Sequence, residues 1–213
     1  MNKKLALLVY PEFSLQEIGN TIALFRWYLD SPTVVFSSST DPVKSEEGIV
    51  VVPEKTLDEF NIEDYHCLIL PGISDITESL EDNKLIDFLR SLKNYPDFII
   101  GAICGGPIFL SMAGLLDDKK FTNQLYVEMN ERLPFIKHEN ILYKPLVEDG
   151  NIVTAVADAY AEFPIVIARK LGFDIPDNAY KPGESNEESE DKYKYHLDEE
   201  GIKVFEGVFS DFL

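Results

Sequence analysis

Short apolar runs that alternate with amphipathic segments are the feature that most constrains the fold of this chain. A run of about four to eight apolar residues is typical of a strand buried on both faces of a sheet. Between these runs, apolar residues recur at steps of three and four, which predicts helices with one buried face. We therefore expect an α/β fold with a mostly parallel sheet and helices on both faces. The predicted strands are 5–9, 33–36, 66–70, 98–103 and 151–155.

The segments between the predicted strands carry residues typical of helix ends. Ser14 and Glu17 have the spacing of a capping box at the start of the first helix, and Pro32 follows its end. Pro107 fits the first position of a later helix, where its missing N–H costs nothing. The predicted helices are 14–29, 80–92, 107–115 and 160–171, with shorter extended pieces at 48–52 and 120–122.

Three loops leave the carboxyl ends of the predicted strands. They comprise residues 10–17, 71–76 and 104–107. Ligands of open parallel sheets bind beyond these strand ends. We therefore look for functional residues in these three loops.

Charge and hydropathy exclude several classes of partner. The formal net charge of −19 disfavours binding to nucleic acids or anionic membranes, which require clusters of Lys and Arg. No stretch approaches the roughly 20 apolar residues of a membrane span. The first residues lack the cleavage site of a signal peptide and are interpreted as the first strand. We expect a cytoplasmic protein.

The chain is predicted to divide into an α/β domain, residues 1–175, and an acidic extension, residues 176–213. Within the extension, 181–191 has the composition of a solvated linker. An apolar stripe at helical spacing follows, which predicts a helix. That helix either docks on the core of the chain or forms a dimer contact. The stripe consists of Val204, Phe205, Val208, Phe209 and Phe212.

The two cysteines, Cys67 and Cys104, are too few for a disulfide framework and fit a reducing compartment. The sequence contains no Cys-x-x-Cys or His-x-x-x-His pattern, so we expect no metal site. It also lacks Gly-x-Gly-x-x-Gly and a phosphate-binding Lys motif, so no cofactor is predicted. Cys67 lies inside a predicted strand and is interpreted as an inert core thiol.

Cys104 lies in the pattern of a nucleophile elbow, in which a strand turns into a helix within one or two residues. Such a turn requires small neighbours, which Ala102, Gly105 and Gly106 provide. The helix that follows would favour a thiolate, and its amides could receive an oxyanion. Without this context, Cys104 would be interpreted as a small core residue.

Several motifs together resemble the ThiJ/PfpI family of the class I glutamine-amidotransferase-like superfamily. The resemblance extends over roughly residues 4–173. The motifs are Ala102-Ile103-Cys104-Gly105-Gly106-Pro107, Ala113-Gly114-Leu115-Leu116, Leu70-Pro71-Gly72, Glu148-Asp149-Gly150-Asn151-Ile152-Val153-Thr154-Ala155 and Glu162-Phe163. The resemblance implies a flavodoxin-like three-layer sandwich and a homodimer.

The resemblance also implies roles for individual residues. Cys104 matches the nucleophilic or redox-active cysteine, and Glu17 matches an acidic residue that hydrogen-bonds to its sulfur. Glu17 also fits the capping box named above. Gly72 and Ile73 match a pair, usually Gly-Gly, whose amides lie near the oxyanion. Gly105 follows the cysteine and belongs to the same predicted binding region.

Asn123 stands where many enzymes of the family have a histidine. A histidine can accept the thiol proton, whereas asparagine can only hydrogen-bond, so Asn123 is predicted as an oxyanion or binding residue. His66 is interpreted as structural and His196 as a surface residue of the acidic extension. His138 is the one histidine that we consider as a substitute for a base.

Three functions remain open from the sequence. In the first, Cys104 is a nucleophile acting on a small carbonyl or amide-like substrate, and Glu17 transfers the proton. In the second, the chain is a non-enzymatic redox or stress-response protein whose Cys104 is oxidised. In the third, it is a binding module that has lost the chemistry, and a Cys104 pKa at or above about 8.5 would favour this reading.

Overall fold

The computed structural model describes residues 3–179 and 197–208. The chain divides into two compact units, Met1–Lys181 and Pro182–Leu213, a few residues beyond the boundary predicted at 175. The first unit contains all the strands of the described residues. They are β1 (Lys4–Leu8), β2 (Thr33–Ser37), β3 (Val43–Lys44), β4 (Val50–Val51), β5 (Lys55–Thr56), β6 (Tyr65–Leu70), β7 (Ile99–Ile103), β8 (Leu146–Asp149) and β9 (Ile152–Ala155).

Seven of these strands form one sheet in the order β5-β2-β1-β6-β7-β9-β8, and β3 pairs with β4 separately. Every neighbouring pair in the large sheet is parallel except β8 and β9. The apolar side chains of β1, β6 and β7 are almost completely buried, as expected for central strands. The order of β2, β1, β6, β7 and β9 is that of a flavodoxin-like sheet, so the predicted fold class is confirmed.

The helices cover both faces of this sheet. α1 packs against α5, and α2 packs against α3. The strand order reverses direction at β1, so right-handed crossovers place α1 and α2 on opposite faces. The helices are α1 (Gly19–Tyr28), α2 (Asn83–Ser91), α3 (Pro107–Met112), α4 (Val127–Arg132), α5 (Phe163–Lys170) and, in the second unit, α6 (Glu199–Val208).

The start of the first helix differs from the prediction. Ser14 caps nothing, a single 3₁₀ turn spans Gln16–Ile18, and α1 begins only at Gly19. The capping box predicted for Ser14 and Glu17 is therefore wrong, because the Glu17 carboxylate turns into the protein. The extended piece predicted at 120–122 is reduced to a single bridge between Phe121 and Ile141.

Helix α6 confirms that the apolar stripe of the acidic extension is helical at Val204. The side chains of Phe205 and Val208, residues 209–213, the linker 181–191 and His196 lie outside the described residues. Docking of this helix stays a prediction. No helix in the described ranges combines the length and the apolar character that crossing a membrane requires.

Candidate active site

The candidate site lies where the carboxyl ends of three adjacent strands meet. β6 lies between β1 and β7 in the sheet. The loop after β1 carries Glu17, the loop after β6 carries Gly72, and Cys104 follows β7 directly. Residues that are far apart in the sequence are thus brought together by the parallel pairing alone, as the three predicted loops suggested.

Cys104 forms the sharp turn between β7 and α3. Its backbone φ is 57°, in the left-handed region that is strained for residues other than glycine. The Cys104 N–H donates to the Ala155 carbonyl at 2.8 Å, and the Cys104 carbonyl accepts from the Gln124 N–H at 2.9 Å. These two hydrogen bonds fix the strained peptide from both sides. The chain therefore turns sharply at Cys104 with a strained backbone, and the Cys104 side chain is half-buried.

Glu17 is the hydrogen-bond partner of the Cys104 sulfur. Its side chain hydrogen-bonds to Cys104, and its Oε2 accepts the Gly72 N–H at 2.8 Å. Only 5% of the Glu17 surface is exposed, which is unusual for a carboxylate. The 3₁₀ turn that replaces the predicted start of the helix points this side chain inward. The structure therefore brings Glu17, Gly72 and Cys104 into direct contact.

Burial is the largest influence on the pKa values of Glu17 and Cys104. Burial is the main cause that raises the pKa of Glu17, against the hydrogen bonds from Cys104 and Gly72. Burial, the Glu17 charge and the Glu17 hydrogen bond raise the pKa of Cys104 to about 12. Two adjacent negative charges disfavour each other, so Cys104 and Glu17 titrate as a coupled pair. The Gly105 N–H favours the predicted thiolate, whereas burial and Glu17 oppose it.

Gly72 has no room for a side chain. A Cβ atom at this position would lie 2.2 Å from Glu17 Oε2 and 2.7 Å from Cys104 Cβ. The backbone therefore approaches the carboxylate and the sulfur closely enough for its N–H to reach Glu17. This close approach explains the glycine at position 72 without any requirement for an unusual backbone angle.

The N–H groups of Ile73 and Gly105 are the candidate oxyanion donors. Gly105 packs against Ile73, since a Cβ added to Gly105 would lie 3.5 Å from the Ile73 nitrogen. Within the described part of the chain, the Ile73 N–H has no backbone acceptor. The Gly105 N–H lies beside the Cys104 sulfur. The Ile73 N–H thus stays a candidate oxyanion donor beside Gly105.

The Asn123 side chain forms hydrogen bonds with Asn130 and with the backbone of the following loop. Its Nδ2 donates to Asn130 Oδ1 at 2.9 Å, and its Oδ1 accepts the Leu125 N–H at 3.1 Å. Asn130 is 1% exposed and donates back to Asn123 at 3.3 Å. The amide thus anchors α4 to the loop before it, in place of the binding role predicted from the sequence.

Neither histidine of the described residues hydrogen-bonds to Cys104 or Glu17. His66 is the second residue of β6, at the opposite end of the strands, and its ring contacts Phe173 edge-on. Burial and the Lys3 charge lower the pKa of His66. His138 is exposed beside Glu139. Cys67 is completely buried in β6, and burial raises its pKa.

Tyr10 supports the site and was missed by the sequence analysis. Its hydroxyl donates to the Pro71 carbonyl, directly before Gly72, and its ring packs against Phe109 at a centroid distance of 4.7 Å. Burial, followed by the charges of Glu17 and Cys104, raises the pKa of Tyr10. It therefore remains a neutral donor that holds the loop after β6. Apolar periodicity gives no signal for such a role.

Glu47 is the second residue that the sequence analysis missed. It lies in the turn between β3 and β4, and its carboxylate accepts the N–H groups of Gln16 at 2.8 Å and Leu15 at 3.1 Å. Slight burial opposes ionisation, but these hydrogen bonds outweigh it and lower the Glu47 pKa to about 2. Glu47 thus caps the turn that carries Glu17, from about 30 residues away in the chain.

The described residues hold no group of three or more His, Cys, Asp or Glu side chains placed to bind a metal ion. The site itself offers a thiol, a carboxyl group and two candidate amide donors. Together they can transfer a proton between sulfur and Glu17 and stabilise a developing oxyanion.

Comparison with known proteins identifies relatives of this arrangement. The DJ-1/PfpI family matches residues 3–170. An uncharacterised protease of Bacillus subtilis, YoaZ, is 30% identical over 203 residues, which cover 92% of this chain and 96% of that protein. The isonitrile hydratase of Pseudomonas putida is 28% identical over 80% of this chain and 73% of its own length. The crystal structure of a thiJ/pfpI family protein from Bacillus anthracis superposes with a TM-score of 0.70 at 28% identity, covering 81% of this chain and 84% of that one.

Proposed function

This chain belongs to the DJ-1/PfpI family, and we propose that it is an enzyme whose Cys104 adds to the electrophilic carbon of a small carbonyl compound. Glu17 transfers the proton in this reaction. The observation that carries the proposal is the buried hydrogen bond between Cys104 and Glu17. It places a proton acceptor in contact with the nucleophile, which is the requirement for activating a thiol of high pKa.

In the addition step, Glu17 accepts the thiol proton while Sγ forms a bond to the carbonyl carbon. The π electrons of the carbonyl move to its oxygen, next to the N–H groups of Ile73 and Gly105. The raised pKa of Glu17 allows the carboxyl group to hold the proton until the oxygen takes it. The product of this step with an aldehyde is a hemithioacetal.

For a 2-oxoaldehyde such as methylglyoxal, the same carboxylate completes the reaction. Glu17 removes the proton from the former aldehyde carbon, and the electron pair forms an enediolate with the neighbouring ketone. Protonation of the ketone carbon then gives a thioester of a 2-hydroxy acid. Water cleaves the C–S bond and regenerates the thiol. One carbon is oxidised and its neighbour is reduced, so only water is consumed.

The names of the relatives support attack on an electrophilic carbon. One relative is called a hydratase of isonitriles and another an uncharacterised protease. Hydrolysis by a Cys-His pair is not part of our proposal, because Asn123 occupies the position of the histidine and is bound to Asn130. The Cys-Glu pair is what distinguishes this site.

Turnover of methylglyoxal to lactate tests the proposal. We expect Cys104→Ala and Glu17→Gln each to lower kcat/KM by at least about 100-fold, since proton transfer alone contributes on the order of 10²-fold or more. Glu63→Gln, an exposed acid near the opposite ends of the strands, is the matched control and should keep full activity. Equal activity of the wild type and Cys104→Ala would refute the proposal.

A redox protein is the second candidate, favoured by the lack of a histidine bound to the pair among the described residues. Cys104 would then be oxidised by peroxide to sulfinic acid. The raised pKa of Cys104 argues for slow oxidation at neutral pH, because the thiolate is the reactive form. Intact mass after mild peroxide treatment decides: no oxygen added to Cys104 counts against this candidate.

A silent binding module is the third candidate, and burial, which raises the pKa of Cys104, supports it. However, part of that increase comes from Glu17, which is the base that an enzyme of this type needs. We therefore rank the enzyme first. A wild-type protein that binds aldehydes without releasing any product would reverse this order.

A further inference from the structure

A small apolar pocket borders the peptide that follows Cys104, and its volume is about 160 Å³. We propose that this pocket is the subsite for the apolar substituent of a neutral carbonyl substrate, with room for a group up to the size of a phenyl ring. This inference rests on the proposed function, because it assigns the part of the substrate that does not react. Four observations support it.

First, the pocket adjoins the reacting atoms. Gly105, whose N–H lies beside the sulfur, forms part of its wall, and so does Ile73. Gln124 lines the pocket as well, and its N–H holds the Cys104 carbonyl at 2.9 Å. A substrate whose carbonyl oxygen lies between the two candidate oxyanion donors therefore has this pocket directly beside it.

Second, the wall is mostly apolar, and two of its polar side chains are engaged in hydrogen bonds. Ser74 Oγ donates to the Glu12 carboxylate at 3.5 Å, and Gln124 Oε1 accepts the Ala157 N–H. None of the described residues that line the pocket carries a charge. A charged substituent would therefore lose its hydration without gaining an oppositely charged partner. The apolar lining side chains are Ile73, Ile76, Ile108, Leu125 and Met129.

Third, the volume sets an upper limit on the substituent. An apolar cavity of about 150 Å³ in another protein binds benzene, so about 160 Å³ accommodates a single ring but not a fused pair. Fourth, the charges of Glu17 and Glu46 both act on Cys104 and raise its pKa. The same negative potential disfavours an anionic substrate at the sulfur.

A larger cavity of about 570 Å³ lies at the amino ends of the strands, near Lys3, His66 and Phe98. It lies at the end of the strands opposite to Cys104. None of the described residues that line it is a cysteine or serine. Size alone therefore does not identify the functional pocket. Adjacency to the nucleophile selects the smaller one.

Alkylation of Cys104 by a series of chloroacetamides tests the subsite on the full-length protein. The probes carry N-methyl, N-benzyl, N-(4-carboxybenzyl) or N-naphthylmethyl groups, and each rate is divided by the rate of the same probe with glutathione. We expect the benzyl probe to react on the order of 10-fold faster than the methyl probe, because the ring becomes buried. The carboxybenzyl and naphthylmethyl probes should gain no such advantage.

Two variants change the pocket in opposite directions. Leu125→Trp should fill it and remove the advantage of the benzyl probe, whereas Met129→Ala should enlarge it and give the naphthylmethyl probe an advantage. Leu171→Trp, an equally half-buried leucine that lines the distant larger cavity, is the matched control and should leave the ratios unchanged. Cys104→Ser measures any labelling of Cys67.

Equal normalised rates of the benzyl and methyl probes in the wild type would overturn the subsite. So would a naphthylmethyl rate that Met129→Ala does not change. Turnover of methylglyoxal is measured in parallel to separate the two claims. A benzyl preference without turnover refutes the proposed function and leaves the subsite standing, whereas turnover without a preference does the reverse.

Discussion

The Cys104 and Glu17 side chains function as one titrating unit. Two negative charges in contact within a buried site are costly, so the pair keeps one proton over a wide range of pH. The Gly72 N–H stabilises the carboxylate, and the Gly105 N–H stabilises the thiolate. Which atom carries the proton therefore depends on this balance of amides, burial and charge.

The variant Glu17→Gln separates reactivity from catalysis. It removes the negative charge beside the sulfur, which lowers the pKa of Cys104 from about 12 and so increases the thiolate fraction at pH 8. We expect alkylation by iodoacetamide at pH 8 to become faster by on the order of 10-fold, although turnover is lost. Rates measured from pH 6 to pH 11 give the midpoint. An upward shift of the midpoint would contradict the conclusion that the Glu17 charge raises the pKa of Cys104.

The variant Gly72→Ala tests the close approach of the backbone to the pair. The added Cβ collides with Glu17 Oε2 at 2.2 Å, so the carboxylate or the loop must move. We expect the free energy of unfolding to fall by about 1–3 kcal/mol and turnover to decrease. Urea denaturation and methylglyoxal assays measure these effects.

Gly19→Ala is the control for this variant, since no atom lies within 4 Å of a Cβ at Gly19. The same substitution should there be neutral or stabilising, because alanine favours the helix. If the Gly72→Ala protein matches the Gly19→Ala protein in stability and activity, the loop after β6 can move to accommodate the Cβ without loss of either.

The sequence predicted the residues of the site that depend on local pattern. Cys104 was predicted from the small residues around it, and Glu17 and Gly72 from the family motifs and the loops that carry them. Asn123 could not be assigned correctly, because its partner Asn130 lies on a helix that the apolar periodicity did not reveal. The pKa values of Cys104 and Glu17 depend on burial, which only the fold determines.

At the scale of elements, the β3–β4 hairpin holds the loop that carries Glu17. The Glu12 N–H donates to the Lys44 carbonyl at 2.9 Å, and the Glu46 N–H donates to the Phe13 carbonyl at 3.0 Å. The Glu47 carboxylate adds the cap at Leu15 and Gln16 described above. The hairpin thus takes the place of the capping box that the sequence predicted.

The variant Glu47→Gln should lower the free energy of unfolding by about 1 kcal/mol at pH 7, as expected for a lost helix cap. The pKa of Glu47 falls from an ordinary 4.5 to about 2 on folding. Its contribution is therefore complete above pH 4.5 and is lost as the pH decreases toward 2. Urea denaturation of both proteins should show a difference at pH 7 that shrinks below pH 4.5.

Glu46→Gln, the exposed neighbour, is the control for Glu47→Gln and should show no comparable loss of stability. A difference between wild type and Glu47→Gln that stays constant from pH 7 to pH 3 would mean that the carboxylate charge is not the cause.

The central elements of the fold were predictable because each has a strong pattern. β1, β6 and β7 are continuous apolar runs, and their order follows from the alternation with helices. The edge strand β8 was not predicted, because it mixes buried and exposed residues over only four positions. β4 lies within the extended piece predicted at 48–52, whereas β3 and β5 are only two residues long and carry no recognisable pattern.

At the scale of the whole molecule, the net charge of −19 acts on every reactant that approaches Cys104. The exposed acids Glu46 and Glu47 lie on the hairpin next to the site. Such a field repels anions and is screened by salt, with a Debye length of about 30 Å at 10 mM and about 10 Å at 100 mM.

We expect this field to appear in the alkylation of Cys104 by iodoacetate and iodoacetamide. Each rate is divided by the rate of the same reagent with glutathione. At 10 mM salt, the normalised rate of iodoacetate should be lower than that of iodoacetamide by roughly 3-fold or more. The gap should narrow at 500 mM salt, because the charges are then screened. A ratio that does not change with salt would mean that the acidic surface does not act on the site.

The burial of Cys67 in the strand next to that of Cys104 has a consequence for the newly made chain. β6 pairs with β1 and β7, whose residues are distant in the sequence, and such parallel pairings form slowly. Until they form, both sulfurs are open to oxidants and to disulfide exchange, whereas afterwards only one is accessible. The number of sulfurs per molecule that a thiol reagent labels, followed over time, therefore reports the assembly of the central sheet. During this interval both thiols are exposed, so a disulfide forms more easily than in the folded protein.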